Sequence, residues 1–96
     1  MQRKNTESLS EVVARVLRIE GLEAPLNEYR LINSWKEVIP SVFHQYTGDL
    51  FIRNQFLYVQ ITSPAAKHEL FLRRKELVSM LNAKVGFQVI TDIRFL

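Results

Sequence analysis

Hydrophobic positions along this chain run at a helical period, switch to strict alternation, return to the helical period, and alternate again at the end. The first alternating stretch, Gly48 to Thr62, organises the rest. Leu50 and Ile52 alternate there with Phe51 and Arg53, and Leu57, Val59 and Ile61 alternate with Phe56, Tyr58 and Gln60. Alternation on both sides of the polar pair Asn54-Gln55 predicts a β-hairpin. A two-residue turn at that pair sets Arg53 opposite Phe56, Ile52 opposite Leu57, Phe51 opposite Tyr58 and Leu50 opposite Val59. Each pair then shares one side of the pleat, so the pattern supports its own register. One face is aliphatic and should meet a core. The other carries Phe51, Phe56, Tyr58, Arg53 and Gln60, which is too apolar for bulk water. Three coverings stay open for it: a helix as a second core layer, a partner protein, or stacked bases of a single strand.

Helical spacing fills the chain before the hairpin. Ser8 with Glu11 fits a capping box, and Leu9, Val12, Val13 and Val16 then recur on one side, with Arg15 and Arg18 opposite. This predicts a helix over about Ser8–Glu20, ended by Gly21 in a left-handed cap. Pro25 suits the first turn of a second helix, whose stripe is Leu26, Tyr29, Ile32, Trp35 and Ile39, widened by Leu31 and Val38. Pro40 stops it. Ser41 is placed to cap a short turn, Val42–Tyr46.

After the hairpin, Ser63-Pro64 reads as an N-cap followed by proline at the first helical position. A third helix is expected from Pro64 to about Lys84, with Ala66, Leu70, Leu77, Leu81 and Val85 toward the core and Gly86 ending it. A last strand, Gln88–Phe95, alternates Val89, Thr91, Ile93 and Phe95 against Ile90, Asp92 and Arg94. The order is α-α-β-β-α-β. The crossover from the second strand to the third should make them parallel, in a three-stranded mixed sheet with helices packed on it.

Composition narrows the classes without choosing among them. At 96 residues and 47% hydrophobic content the chain suits one domain. Residues 1–7 are expected to fray, with a single domain over residues 8–96. No apolar run approaches a membrane span, and Met1–Ser10 lacks a signal-peptide core, so a cytoplasmic protein is expected. The absence of cysteine excludes disulfides and thiolate metal sites. A net charge of +3 permits a polyanionic partner without requiring one.

No catalytic set is visible. His44, His68, Asp49 and Asp92 stand at no metal or triad spacing, and Gly21, Gly48 and Gly86 are too scattered for a phosphate loop. The expectation is a protein that is not an enzyme and uses no metal or cofactor. Lys67, Arg73, Arg74 and Lys75 form the densest positive charge, either phosphate-contacting or a solvated face balanced by Glu69 and Glu76. Arg53 and Arg94 join the aromatics of the hairpin as nucleic-acid candidates. Trp35, Phe51, Phe56 and Tyr58 are the partner-interface candidates, although a tryptophan at helical spacing is more often core.

From Trp35 onward the chain resembles the bacterial DciA-like family. The resemblance is carried by Trp35 with Val38-Ile39, Asp49-Leu50, Leu57-Tyr58-Val59, Ser63-Pro64-Ala65, Glu69-Leu70, the Leu77-Leu81-Asn82 run, Gly86 and Ile93-Arg94-Phe95. Pro40 stands where the family usually has glycine. The resemblance implies a small α+β, two-layer, KH-like domain. It also implies a replication role, recruiting or loading the DnaB-type replicative helicase onto DNA; the expectation is a non-enzymatic adaptor that binds the helicase and assists its contact with single-stranded DNA. The Gly-x-x-Gly loop of true KH domains and the basic extension of longer members are both missing from these 96 residues, so weak DNA binding by the domain alone is expected. Two other readings from the residues remain: a small single-stranded nucleic-acid-binding module, and a homodimer that hides the aromatic face.

Overall fold

The computed structural model describes residues 8–19 and 23–96. Helix α1 (Leu9–Ile19) is capped by Ser8, whose Oγ accepts from the Glu11 amide at 3.2 Å. Of its apolar stripe, Leu9 is 79% exposed, and Val12 and Val13 are exposed too. The expected end at Glu20 and the cap at Gly21 lie outside the described residues. Helix α2 (Glu23–Val38) buries Asn27, Leu31, Trp35 and, just past its end, Ile39. Residues four apart stack on one helical face, so this line is the core face. Ile32 and Val38 flank it. Tyr29, expected in the stripe, is 64% exposed, because the polar Asn27 takes the buried position one turn before Leu31.

Pro40 ends α2, and a 3₁₀ segment (Ser41–Tyr46) follows with no side-chain cap from Ser41. Strands β1 (Thr47–Arg53) and β2 (Phe56–Ile61) then pair antiparallel in the expected register, Arg53 opposite Phe56 through Leu50 opposite Val59. Asn54 and Gln55 adopt φ of 53° and 67°. Positive φ at both central residues is the turn whose twist matches that of paired strands. Between Thr47 and Leu50 the register shifts, and β1 carries one extra residue there. At this bulge the Asp49 amide donates to Gln60 Oε1 at 3.4 Å.

The long helix expected after Ser63 is two helices, α3 (Pro64–Leu72) and α4 (Arg74–Val85). Ser63 Oγ accepts from the Ala66 amide at 3.3 Å, as a capping serine should. Arg73 breaks the run at φ −99°, ψ 12°, its amide bonding Leu70 O, and α4 restarts with the Leu77 amide on Arg73 O. No glycine or proline marks this break. The apolar positions Ala66, Leu70, Leu77 and Leu81 would also suit one straight helix, so their spacing does not reveal it. Gly86 ends α4 at φ 90°, the left-handed cap that glycine adopts without steric cost.

Strand β3 (Asp92–Phe95) is half the expected length. The Asn82 side chain claims the backbone before it: Oδ1 accepts from Val89 N at 2.9 Å and Ile90 N at 3.1 Å, and Nδ2 donates to Ile90 O at 2.9 Å. Those groups therefore do not join the ladder, and pairing starts where Thr91 N meets Gln55 O at 2.7 Å. β3 runs parallel to β2, and the sheet order is β1-β2-β3. The fold is thus α+β with a three-stranded mixed sheet, as expected. Its core joins Leu31, Trp35 and Ile39 to Leu57, Val59 and Ile61 of β2, Ile90 and Ile93 at β3, and the inner faces of α3 and α4. Among the described residues no helix is long and apolar enough to cross a membrane.

Candidate nucleic-acid and partner surface

The pleat that sends Leu57, Val59 and Ile61 into the core sends Phe56, Tyr58 and Gln60 to the other side of β2. There Phe51 and Tyr58, opposite each other across the hairpin, stack with ring centroids 4.8 Å apart and planes 7° from parallel. The Arg53 guanidinium lies over the Phe51 ring at 5.6 Å, and that of Arg94 over Phe56 at 4.9 Å. None of the three rings belongs to the core, and Phe51 is 39% exposed. Of the three coverings the sequence left open, a second core layer is not what the described residues form. The face is an aromatic platform edged by two cations.

Beyond Tyr58 and Arg94 the surface falls into a groove of about 740 Å³ between β3 and the α3–α4 junction. Lys67, His68, Phe71 and Arg74 line the helical side; Asp92 to Leu96 line the strand side. The four cations expected to act as one cluster are divided by the break at Arg73. Lys67 and Arg74 reach the groove, whereas Arg73 and Lys75 sit with Leu72 and Glu76 on an adjoining shoulder. Arg73 stands 4.0 Å from Glu69 with both side chains half in solvent, a pairing of little energetic consequence.

Arg74 is largely committed inside the molecule. Its Nε lies 3.0 Å from Asp92 Oδ1, an ion pair without hydrogen-bond alignment, and its guanidinium lies over the Phe71 ring at 4.5 Å. Asp92 Oδ1 also accepts from the Ile93 amide at 2.8 Å. Asp92 and Phe71 were not singled out from the sequence. Phe71 had a usable signal: it is a large apolar residue off the stripe of Ala66, Leu70, Leu77 and Leu81, and so has to face something other than the core. Asp92 had none, since its importance comes from the chain reversal that brings it to Arg74.

Trp35, a partner-interface candidate, is 0% exposed, with Nε1 donating to Thr47 Oγ1 at 3.2 Å, so it offers a partner no surface. Thr47 Oγ1 in turn donates to Phe43 O at 3.2 Å. The indole therefore ties α2 to the start of β1. The two histidines stay apart: His68 is exposed at the groove, while His44 Nε2 is enclosed without a hydrogen-bond partner. Among the described residues no group of three histidine or acidic side chains could hold a metal ion.

The sequence matches the family model described as Dna[CI] antecedent, DciA, over residues 8–95. The chain belongs to the DciA family. Membership covers nearly the whole chain and implies a helicase-loading role in DNA replication. No curated protein and no solved structure matches the chain. The structural features named for the DciA resemblance are chiefly scaffold: Trp35 fills the core, Ser63 caps α3, Asn82 fixes the approach to β3, and Gly86 ends α4. Tyr58 and Arg94 differ from these, since both face the platform.

Proposed function

We propose that this DciA-family protein acts as a non-enzymatic adaptor that recruits or loads the DnaB-type replicative helicase. The platform of Phe51, Phe56 and Tyr58, with Arg53 and Arg94, assists by holding single-stranded DNA. The observation that carries the DNA half is the open Phe51–Tyr58 stack with guanidinium groups beside it. Aromatic faces accept any base, and cations draw the phosphates, so such a surface binds a strand without reading its sequence. Lys67 extends the positive charge along the groove, and Arg73 and Lys75 add to it from the shoulder. A two-layer KH-like domain serves this role as a rigid mount for the platform.

The test uses a double variant, Phe51→Ser with Tyr58→Ser. Both residues lie outside the core, so the variant should fold cooperatively. Base stacking is worth about 1–3 kcal/mol per base, so affinity for a fluorescent oligo-dT should fall about fivefold or more. Capture of purified DnaB-type helicase by immobilised protein is measured alongside, with and without the oligonucleotide. A folded variant that still holds oligo-dT as the parent does overturns the DNA half. Failure of the parent protein to capture helicase under either condition overturns the adaptor half.

A further inference from the structure

We propose that the groove along β3 receives an extended peptide of alternating apolar and acidic residues, added to the sheet as a fourth strand. This rests on the adaptor reading only for there being a protein partner. β3 is an edge strand, with β2 on one side and, among the described residues, no strand paired to the other. In a parallel ladder alternate residues turn both backbone groups toward the neighbouring strand. Leu96 does so, its amide bonding Val59 O at 2.8 Å and its carbonyl accepting from Ile61 N at 3.2 Å. Counting back by two, Arg94 also faces β2. Ile93 and Phe95 therefore turn their backbone groups outward, along the groove.

The outward set is partly closed already. The Ile93 amide is held by Asp92 Oδ1 at 2.8 Å, which leaves the Ile93 carbonyl and both backbone groups of Phe95 to pair with an incoming strand. Proteins usually shorten, charge or cover such an edge because it templates pairing. Here the edge opens on a groove of about 740 Å³, with Phe71 and Lys67 on its far wall. That size is within the range of about 300–1,000 Å³ typical of ligand sites.

The groove's chemistry selects the occupant. Ile93 and Phe95 share the core side of the pleat and Arg94 the platform side, so an added strand presents its side chains alternately to Phe71 and to Arg94. Apolar side chains suit the first and carboxylates the second. Asp92 already neutralises Arg74, whereas Lys67 and Arg94 have no ion pair among the described residues. The uncompensated charge is positive and favours an acidic segment. A nucleic-acid strand fits less well, because the Asp92 carboxylate repels phosphate and the outward backbone groups find their natural complement in another backbone.

The probe is a fluorescein-labelled octapeptide of alternating valine and glutamate, titrated into the whole chain without helicase or DNA, so this proposal and the adaptor reading fail separately. Amide chemical-shift changes are expected at residues 93–96 and along Lys67 to Arg74. N-methylating one alternate set of peptide amides should weaken binding about tenfold or more, and the other set about twofold or less, since only one set faces the edge. Arg94→Gln and Phe71→Ser, both at exposed positions, should each weaken it about threefold or more, on the scale of one exposed contact. No binding, equal sensitivity of both methylated sets, or shifts confined to other residues overturns the proposal. So does an oligo-dT that shifts residues 93–96 where the peptide does not, which would make the groove a nucleic-acid site.

Discussion

Replacing Asn82 by alanine tests how β3 is held in place. The side chain makes three hydrogen bonds to the backbone of Val89 and Ile90, at 2.9, 3.1 and 2.9 Å, and it is half-buried. A typical intramolecular hydrogen bond contributes about 0.5–1.5 kcal/mol net, so losing all three should cost about 1.5–4.5 kcal/mol. A domain of this size has about 5–15 kcal/mol in total, so the loss is large but leaves a folded protein. At about 4–8 °C per kcal/mol, a mid-range loss lowers the melting temperature by about 12–24 °C. Asn82→Asp separates the contributions. It keeps the acceptor for both amides but sets a carboxylate oxygen against the Ile90 carbonyl, and its melting temperature should fall between the other two. Circular dichroism reports the melting temperatures, and amide hydrogen exchange reports whether Val89 and Ile90 lose protection selectively. An alanine variant that melts within about 2 °C of the parent would refute the reasoning, since that corresponds to less than one such bond. Unchanged exchange at Val89 and Ile90 would refute it as well.

Two further variants probe the core and the groove. Trp35→Ala removes the largest fully buried side chain together with its bond to Thr47, and should cost about 3–5 kcal/mol; an unchanged thermal midpoint would place the indole outside the core. Asp92→Asn keeps an oxygen for the Ile93 amide while releasing Arg74 from its counter-charge, and, because the pair is partly exposed, stability should change by no more than about 1 kcal/mol. Affinity for oligo-dT should then rise, with its salt dependence steeper by about 0.7 log units per log unit of salt for one added phosphate contact; an unchanged slope would show that Arg74 does not reach the strand.

What the sequence disclosed and what it hid differ by the range of the interaction involved. The hairpin was legible pair by pair, because alternation, a polar two-residue break and matching faces all act within fifteen residues. The caps at Ser8, Ser63 and Gly86 were equally local. Three features failed for non-local reasons. Alternation of Val89 and Thr91 places the start of the final strand at Gln88, but Asn82 takes the Val89 and Ile90 amides out of the ladder through a fold-dependent contact. The break at Arg73 has no local marker, and Arg74 finds its counter-charge on β3, eighteen positions away. Tyr29 fits the apolar stripe yet stands in solvent, while the residue at the buried position, Asn27, is polar and carries no core signal of its own. The surface candidates show the same division. Phe51, Phe56 and Tyr58 fall together because they share one strand pair, whereas the four helix cations separate because the helix does not continue.

Strand β2 explains why scaffold and surface are joined so closely in so short a chain. Leu57, Val59 and Ile61 anchor the core, and Phe56 and Tyr58 on the same strand build the platform. A strand held on one face cannot slip by a single residue, because slippage would expose all three aliphatic side chains and bury the aromatics. The buried face therefore fixes the position of the open one, and the stacked pair needs no covering helix to hold it in register. β3 then brings Arg94 to Phe56, and its own position depends on Asn82 and on the Asp92–Arg74 contact. Platform and groove meet at Tyr58 and Arg94, so an occupant of either changes the charge seen by the other. An acidic segment against Arg94 would neutralise a cation that the proposed DNA strand would also need. If platform and groove act as proposed, acidic peptide and oligo-dT should each weaken the other's binding, and independent binding of the two would overturn that coupling.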